Sequence, residues 1–349
     1  MLNWIVRYAV VADLLDRENW TSGSLLDVGA GPHGISCVRP DLPFVGLDVE
    51  YPERAVPTMV AIQAPPGPLP FADAAFDTVV SLDTLEHMPA DQRPGFIAEL
   101  ARVSAGRVVL ACPERQAAPA DQLIADLILD EGQAWPSWLS EHMEFGLPSD
   151  EEVGTLCHAV PGFTARPLPT VNSLLGLLAV IGDIHPGLAA AAQTEVTERT
   201  PEWEALFLAG RFGPAARTAW VLEREVPTSA IVSPGDERGT LPAALRCPAC
   251  GGGPLAERLA ATWTCTACGH AIRQDADTDA WVLGTTPSRE EPPAPPSPPS
   301  VIDPVPELQA RIARLEAQLE HAQNLRIVRW TASLRRAVYR VRTVGRGSG

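Results

Sequence analysis

The sequence contains no lysine: all 27 of its basic residues are arginine. With the abundance of alanine and proline, this is the imprint of a GC-rich coding bias and not a functional choice. Positive charge is also missing from most of the chain. Residues 325–349 carry seven arginines and no acid, so the remainder is seven charges more negative than the net −16 of the whole. That balance excludes a protein whose entire surface grips nucleic acid, because phosphate binding needs a positive footprint. Long apolar runs are lacking as well. The longest, residues 174–181, falls far short of the roughly 20 residues that span a bilayer. Residues 1–19 are amphipathic, with Trp4, Tyr8, Val11 and Leu15 at helical spacing, and lack the apolar stretch and cleavage site of a secretory signal. Nor is there a disulfide framework. Seven cysteines are an odd number, and four of them form two Cys-x-x-Cys pairs, which is the arithmetic of a metal site in a reducing compartment. The expected location is the cytoplasm.

What is present divides by composition. At 349 residues and 46% hydrophobic, the chain is long enough for two or three domains with a sizeable core. From residue 25 to about 232, short apolar runs at 25–28, 44–47, 78–82 and 107–111 alternate with helical or loop segments. Such alternation reads as a parallel sheet with crossovers. Late strands are expected at 162–168 and 217–223, around a helical excursion at 171–210. The expected division is an α/β domain at 1–232, a cysteine module at 243–284, a Pro/Ser-rich linker at 285–304 and a helical tail at 305–345. In the tail, Leu308, Ile312, Leu315 and Leu319 alternate four and three apart, a coiled-coil seam under three heptads long.

Residues 25–34, LLDVGAGPHG, read as a strand entering a glycine-rich turn. Gly29, Ala30 and Gly31 form the turn, and Gly29, Gly31 and Gly34 satisfy the G-x-G-x-x-G spacing of a dinucleotide loop. Asp27 points elsewhere. A carboxylate two residues before the first glycine repels a pyrophosphate and suits a phosphate-free ligand with a cationic amino acid end, as S-adenosylmethionine is. Asp48 closes the next strand, where a carboxylate can accept two ribose hydroxyls.

The stretch at residues 69–87, LPFADAAFDTVVSLDTLEH, resembles the fourth-strand signature of class I S-adenosylmethionine-dependent methyltransferases, in their small-molecule branch. The resemblance runs with specific motifs over residues 25–113 and by element order to about 225. It implies a doubly wound, seven-stranded Rossmann-like α/β sheet with the cofactor over the strand ends. It further implies Asp27, Gly29 and Gly31 at the methionine end, Asp48 on the ribose, and Ser81 and Leu82 lining the site. Three departures stand out. Pro40 cuts short the helix after the turn, and His33 sits where the family often has a third glycine. Only Gln63 or backbone replaces the acid that in many relatives receives the adenine amino group. Residues 138–148 resemble an "EH…FGLP" segment of a subset of bacterial enzymes with this fold, over the acceptor pocket. That makes His142 and His87 the candidate proton acceptors, against the plainer roles of loop anchor and surface residue.

Cys247, Cys250, Cys265 and Cys268 give C-x2-C-x14-C-x2-C, each pair followed by glycine. Two such knuckles suit one Zn²⁺ in a ribbon completed by strands at 263–264 and 281–283, a module expected to fold apart from the α/β domain. The tail at 327–338 resembles the "W…LR" ends of bacterial surface-polysaccharide enzymes. It suits either peripheral contact with an anionic membrane and self-association, or docking on the protein's own acidic body. The leading reading is methyl transfer, on oxygen, to a small-molecule or glycan-type acceptor. A non-catalytic scaffold is the alternative, and the acidic ribbon makes a nucleic-acid substrate the last choice.

Overall fold

A computed structural model describes residues 2–130, 135–215, 217–259 and 261–284. The linker at 285–304 and the coiled-coil and basic tail at 305–345 lie outside the described residues. The chain begins with α1 (Leu2–Arg17), followed by β1 (Leu25–Val28), β2 (Phe44–Asp48), β3 (Met59–Gln63), β4 (Phe76–Leu82), α2 (Arg93–Val103) and β5 (Ser104–Pro113). Next come α3 (Ala118–Asp130), α4 (Ser137–Phe145), α5 (Asp150–His158), β6 (Phe163–Pro169), α6 (Ser173–Ile184), α7 (Pro186–Ala209) and β7 (Arg217–Arg224). No single described helix is long and apolar enough to cross a membrane.

Buried runs such as Leu25–Val28, covered along their whole length, are what a parallel strand with layers on both faces requires. The strand order is β3-β2-β1-β4-β5-β7-β6, parallel from β3 to β5, with β7 antiparallel to both of its neighbours. The order reverses between β1 and β4, and at such a switch point ligands bind beyond the carboxyl ends of the strands. β3 was not among the runs read from the sequence.

After the glycine turn there is only a 3-10 turn, Gly34–Cys37, as Pro40 foreshadowed. The face left open is filled by α1, whose Ile5, Tyr8, Val11 and Leu15 are buried with Ile35 and Phe44. This helix is therefore a core element and not merely an amphipathic cover.

The C-terminal part of the described chain corrects two expectations. The main sheet has eight strands, not seven, because β11 (Trp281–Val282) pairs parallel with β3, Trp281 opposite Ile62 and Val282 opposite Gln63. The ribbon therefore does not keep residues 281–283 for itself. Its own sheet is β8 (Leu255–Leu259), β9 (Thr262–Cys265) and β10 (Ala271–Arg273), antiparallel in the order β10-β9-β8 and entered through α8 (Glu237–Ala244). The physical reason is the free edge of β3, whose backbone groups need partners. Trp281 also stacks flat on Trp263, at 3.6 Å and 3°, and both rings are buried.

The ribbon grips the LPFAD run as well. The amide of Ala72 donates to the Ala244 carbonyl at 2.7 Å and that of Arg246 to the Pro70 carbonyl at 2.9 Å. Arg102 and Arg246 each meet Asp73 at 2.8 Å. The ribbon expected to stand alone is thus part of one unit, Met1–Ser288, with the α/β sheet.

Candidate active site

The glycine turn lies at the carboxyl end of β1. Gly29 has φ +81°, and a Cβ there would stand 2.1 Å from Thr84 Oγ1, so both the conformation and the crowding demand glycine. Its amide donates to the Leu47 carbonyl at 2.7 Å, and the amide of the buried Ala30 points to the same oxygen. Gly31, at φ +54°, donates to Asp48 Oδ2 at 2.8 Å, and the Trp4 ring of α1 stands over it, 2.8 Å from the place of a Cβ.

The two acids flank this turn. Asp48 Oδ1 accepts the Val49 amide at 2.7 Å, which leaves the carboxylate capacity for further donors. Burial raises its pKa. Asp27 lies beneath the turn, fully buried. Its Oδ2 accepts the Ile35 amide at 3.1 Å, the Tyr8 hydroxyl faces the carboxylate, and burial outweighs both and pushes the group up to about 7. Gln63 ends β3, its carbonyl taken by the Leu283 amide at 2.8 Å. Ser81 and Leu82 are packed inside the sheet. The Ser81 hydroxyl donates to the Val28 carbonyl at 3.1 Å and so ties β4 to β1.

A second cluster follows β4. Asp83 has φ +51° and receives Arg217 through two bonds of 2.7 and 2.6 Å, with Arg7 Nε at 2.8 Å. Burial opposes ionisation of Asp83, but the charges of Arg217 and Arg7 prevail and hold it below the usual carboxylate range. The 3-10 turn Leu85–His87 then sends Glu86 inward, where it is fully buried and neither carboxylate oxygen has a hydrogen-bond partner. Burial, then the charge of Asp83, pushes its pKa well above the usual value.

His87 and His142, far apart in sequence, meet here with ring centroids 5.0 Å apart. Their Nε2 atoms lie 3.7 and 3.8 Å from Glu86 Oε1. The Nδ1 atoms face carboxylates, His142 toward Asp121 of α3 at 2.9 Å and His87 toward Glu141 of α4 at 2.8 Å. Trp138 meets the His142 ring edge-on at 5.4 Å. Sequence reasoning missed Glu86, Asp121, Arg7 and Arg217. Glu86 alone had a signal, its place beside His87 in the LEH run, while the others come from elements without a motif.

The four expected metal ligands converge. The Sγ atoms of Cys247 and Cys268 are 3.7 Å apart, those of Cys250 and Cys265 are 3.8 Å apart, and all four lie within 4.8 Å of one another. A tetrahedral ion with Zn–S bonds of about 2.3 Å has sulfur–sulfur edges of about 3.8 Å. Gly251 and Gly269, at φ +68° and +78°, close the two knuckles by donating to the Cys247 and Cys265 carbonyls. Amides of Cys268 and Ala267 lower the Cys265 thiol, while the neighbouring sulfurs raise its coupled partner Cys268. By contrast, burial raises Cys37, Cys112 and Cys157, which behave as packed, inert thiols.

Comparison with known proteins agrees with the turn and the strand around it. Residues 26–111 match the family model described as a methyltransferase domain. A search of curated proteins finds no significant match. Among solved structures, the chain is similar to magnesium protoporphyrin IX methyltransferase from Synechocystis, at 15% identity over 62% of this chain and 80% of that one, with a TM-score of 0.35. It is also similar to the plantazolicin methyltransferase, at 12% identity over 64% and 85%, TM-score 0.39. A third likeness is to 1,6-didemethyltoxoflavin-N1-methyltransferase from Burkholderia thailandensis, at 13% identity over 64% and 79%, TM-score 0.36. Residues 26–111 thus carry a methyltransferase domain, on a mixed α/β, Rossmann-like fold.

Proposed function

We propose that the protein transfers a methyl group from S-adenosylmethionine to a small-molecule or glycan-type acceptor, on oxygen, in the cytoplasm. The observation that supports the cofactor is the pair of acids about the glycine turn, Asp27 buried beneath it and Asp48 on the Gly31 amide. A cationic ligand group answers such a pair, and a pyrophosphate does not. Asp27, Gly29, Ala30 and Gly31 would hold the methionine end, Asp48 the ribose and Gln63 the adenine side. Bound S-adenosylmethionine supplies a methyl group already activated on its sulfonium, so the chain has mainly to position the reactants and exclude water. Trp4, standing over Gly31, serves the second task.

At the acceptor end, His87 and His142 are the groups that handle the acceptor proton, directly or through something they hold. The resemblance of the tail to those of surface-polysaccharide enzymes supports the glycan-type acceptor and a peripheral membrane contact or self-association. Zn²⁺ on Cys247, Cys250, Cys265 and Cys268 would act as a structural ion, giving the ribbon stability that its small core cannot.

Calorimetric titration with S-adenosylmethionine and with NAD tests the cofactor. Binding of the first and no heat from the second is expected. Asp48→Ala should weaken binding by about 1.5–3 kcal/mol, the range for hydrogen bonds to a charged acceptor. Binding of NAD alone would sink the assignment.

A further inference from the structure

Glu86, His87 and His142 form a group that the methyl-transfer reading leaves unexplained, since two imidazoles suffice to move a proton and a buried carboxylate between them is a liability. We infer that the three hold one divalent ion of the borderline class, Zn²⁺, Mn²⁺, Fe²⁺ or Co²⁺, on Glu86 Oε1 and the Nε2 atoms of both histidines.

The first argument is an unmet need. Glu86 is fully buried, and its nearest imidazole nitrogens, at 3.7 and 3.8 Å, are too far to hydrogen-bond. Both carboxylate oxygens are thus without a hydrogen-bond donor, as is Nε2 of the buried His142. A buried carboxyl group with neither oxygen met by a donor is unfavourable, and orphaned groups of this kind call for an unseen ion or water.

The second argument is distance. The three ligand atoms lie within 4.8 Å of one another. An ion bound at about 2.0–2.1 Å draws neighbouring ligands to roughly 3.0–3.5 Å apart, a closure of a few tenths of an ångström from the separations to Glu86 Oε1.

The third argument is the outer shell. A carboxylate facing Nδ1 fixes the tautomer with its proton on that nitrogen and leaves a lone pair on Nε2. His142 has this from Asp121 at 2.9 Å, and His87 from Glu141 at 2.8 Å. Paired carboxylate–histidine units aimed at one point are the usual second shell of a metal-binding imidazole.

Two nitrogens and one oxygen disfavour Mg²⁺ and Ca²⁺, which prefer all-oxygen shells, and three protein ligands leave a coordination position open. The His87 side chain is 25% exposed, so that position faces an approachable side of the cluster, beyond the carboxyl end of β4. On the reading of the chain as a methyltransferase, an acceptor hydroxyl bound there would lose its proton to water more readily, leaving its oxygen lone pair on the ion. The histidines would then act through the ion and not as bases.

The test counts metal on the full-length protein, without cofactor or acceptor. Wild type, Glu86→Gln and His142→Ala are loaded with Co²⁺, freed of excess by gel filtration and analysed for cobalt per chain and by absorption spectrum. Wild type should hold one ion more than either variant. The thiolate-to-cobalt charge-transfer band of the cysteine site should be equal in all three. Asp121→Asn should weaken the additional ion roughly 10- to 100-fold. Glu86→Gln keeps the size of the side chain and removes the unpaired charge, so it guards against loss of folding in His142→Ala. Equal cobalt in wild type and a folded Glu86→Gln would overturn the inference. Because no methyl donor is present, this result is independent of whether S-adenosylmethionine binds.

Discussion

Asp27→Asn is expected to stabilise the ligand-free protein above pH 7 and, in the same molecule, to weaken S-adenosylmethionine at least tenfold. Burial raises the Asp27 carboxyl to about 7 in the folded state, against an ordinary value near 4 in the unfolded chain. Between those values the folded protein holds more protons than the unfolded one, so this group makes stability fall as pH rises through that window. The loss is complete above the folded value and absent below the unfolded one. Three pKa units correspond to roughly 4 kcal/mol, an order-of-magnitude figure, and asparagine escapes it by carrying no charge. Denaturant unfolding of both proteins at pH 5 and pH 8 tests this, with the gap opening in favour of the variant at pH 8. Parallel behaviour at the two pH values would show that Asp27 does not ionise at this cost. A variant that binds the cofactor as tightly as wild type would remove Asp27 from the site. Such opposed effects on stability and binding are what a preformed cation pocket entails.

Cys265→Ser should abolish zinc binding at the ribbon and lower the melting temperature of the whole Met1–Ser288 unit in one transition. Structural zinc contributes much of the folding free energy of small metal modules. A loss of at least roughly 3 kcal/mol lowers the melting point of a unit this size by about 5 °C or more. The sequence alone suggested that the damage would stop at the ribbon. The structure argues otherwise, because β11 pairs with β3 and the Leu283 amide binds the carbonyl of Gln63. Trp263, buried beside Cys265 in β9, also stacks on Trp281 of β11. Cofactor affinity should therefore fall along with zinc. Calorimetric scanning with elemental analysis decides between the two: separate transitions, with the α/β domain melting as in wild type and the cofactor still bound, would restore the picture of an autonomous module.

The parts legible in the sequence are those set by local chemistry. The glycine turn could be read because φ values of +81° and +54° admit few residues other than glycine, and Asp27 and Asp48 because they stand within one residue of the carboxyl ends of buried strands. The four cysteines were legible because tetrahedral ligation imposes a spacing, and the short turn after Gly34 because proline ends helices.

Tertiary structure alone decided the rest, because those features pair residues that no local pattern links. Which strand β11 would join depended on the free edge of β3 and on a tryptophan stack across the fold. The inward turn of Glu86 could not be foreseen, since an acid in a short loop segment is as often solvated as buried. Nor could the convergence of His87 and His142, 55 positions apart, with Asp121 behind one and Glu141 behind the other. Backbone preference and ligand spacing act over a few residues and are written in the chain. Burial of an edge, a charge or an imidazole pair is decided only when distant segments compete for the same space.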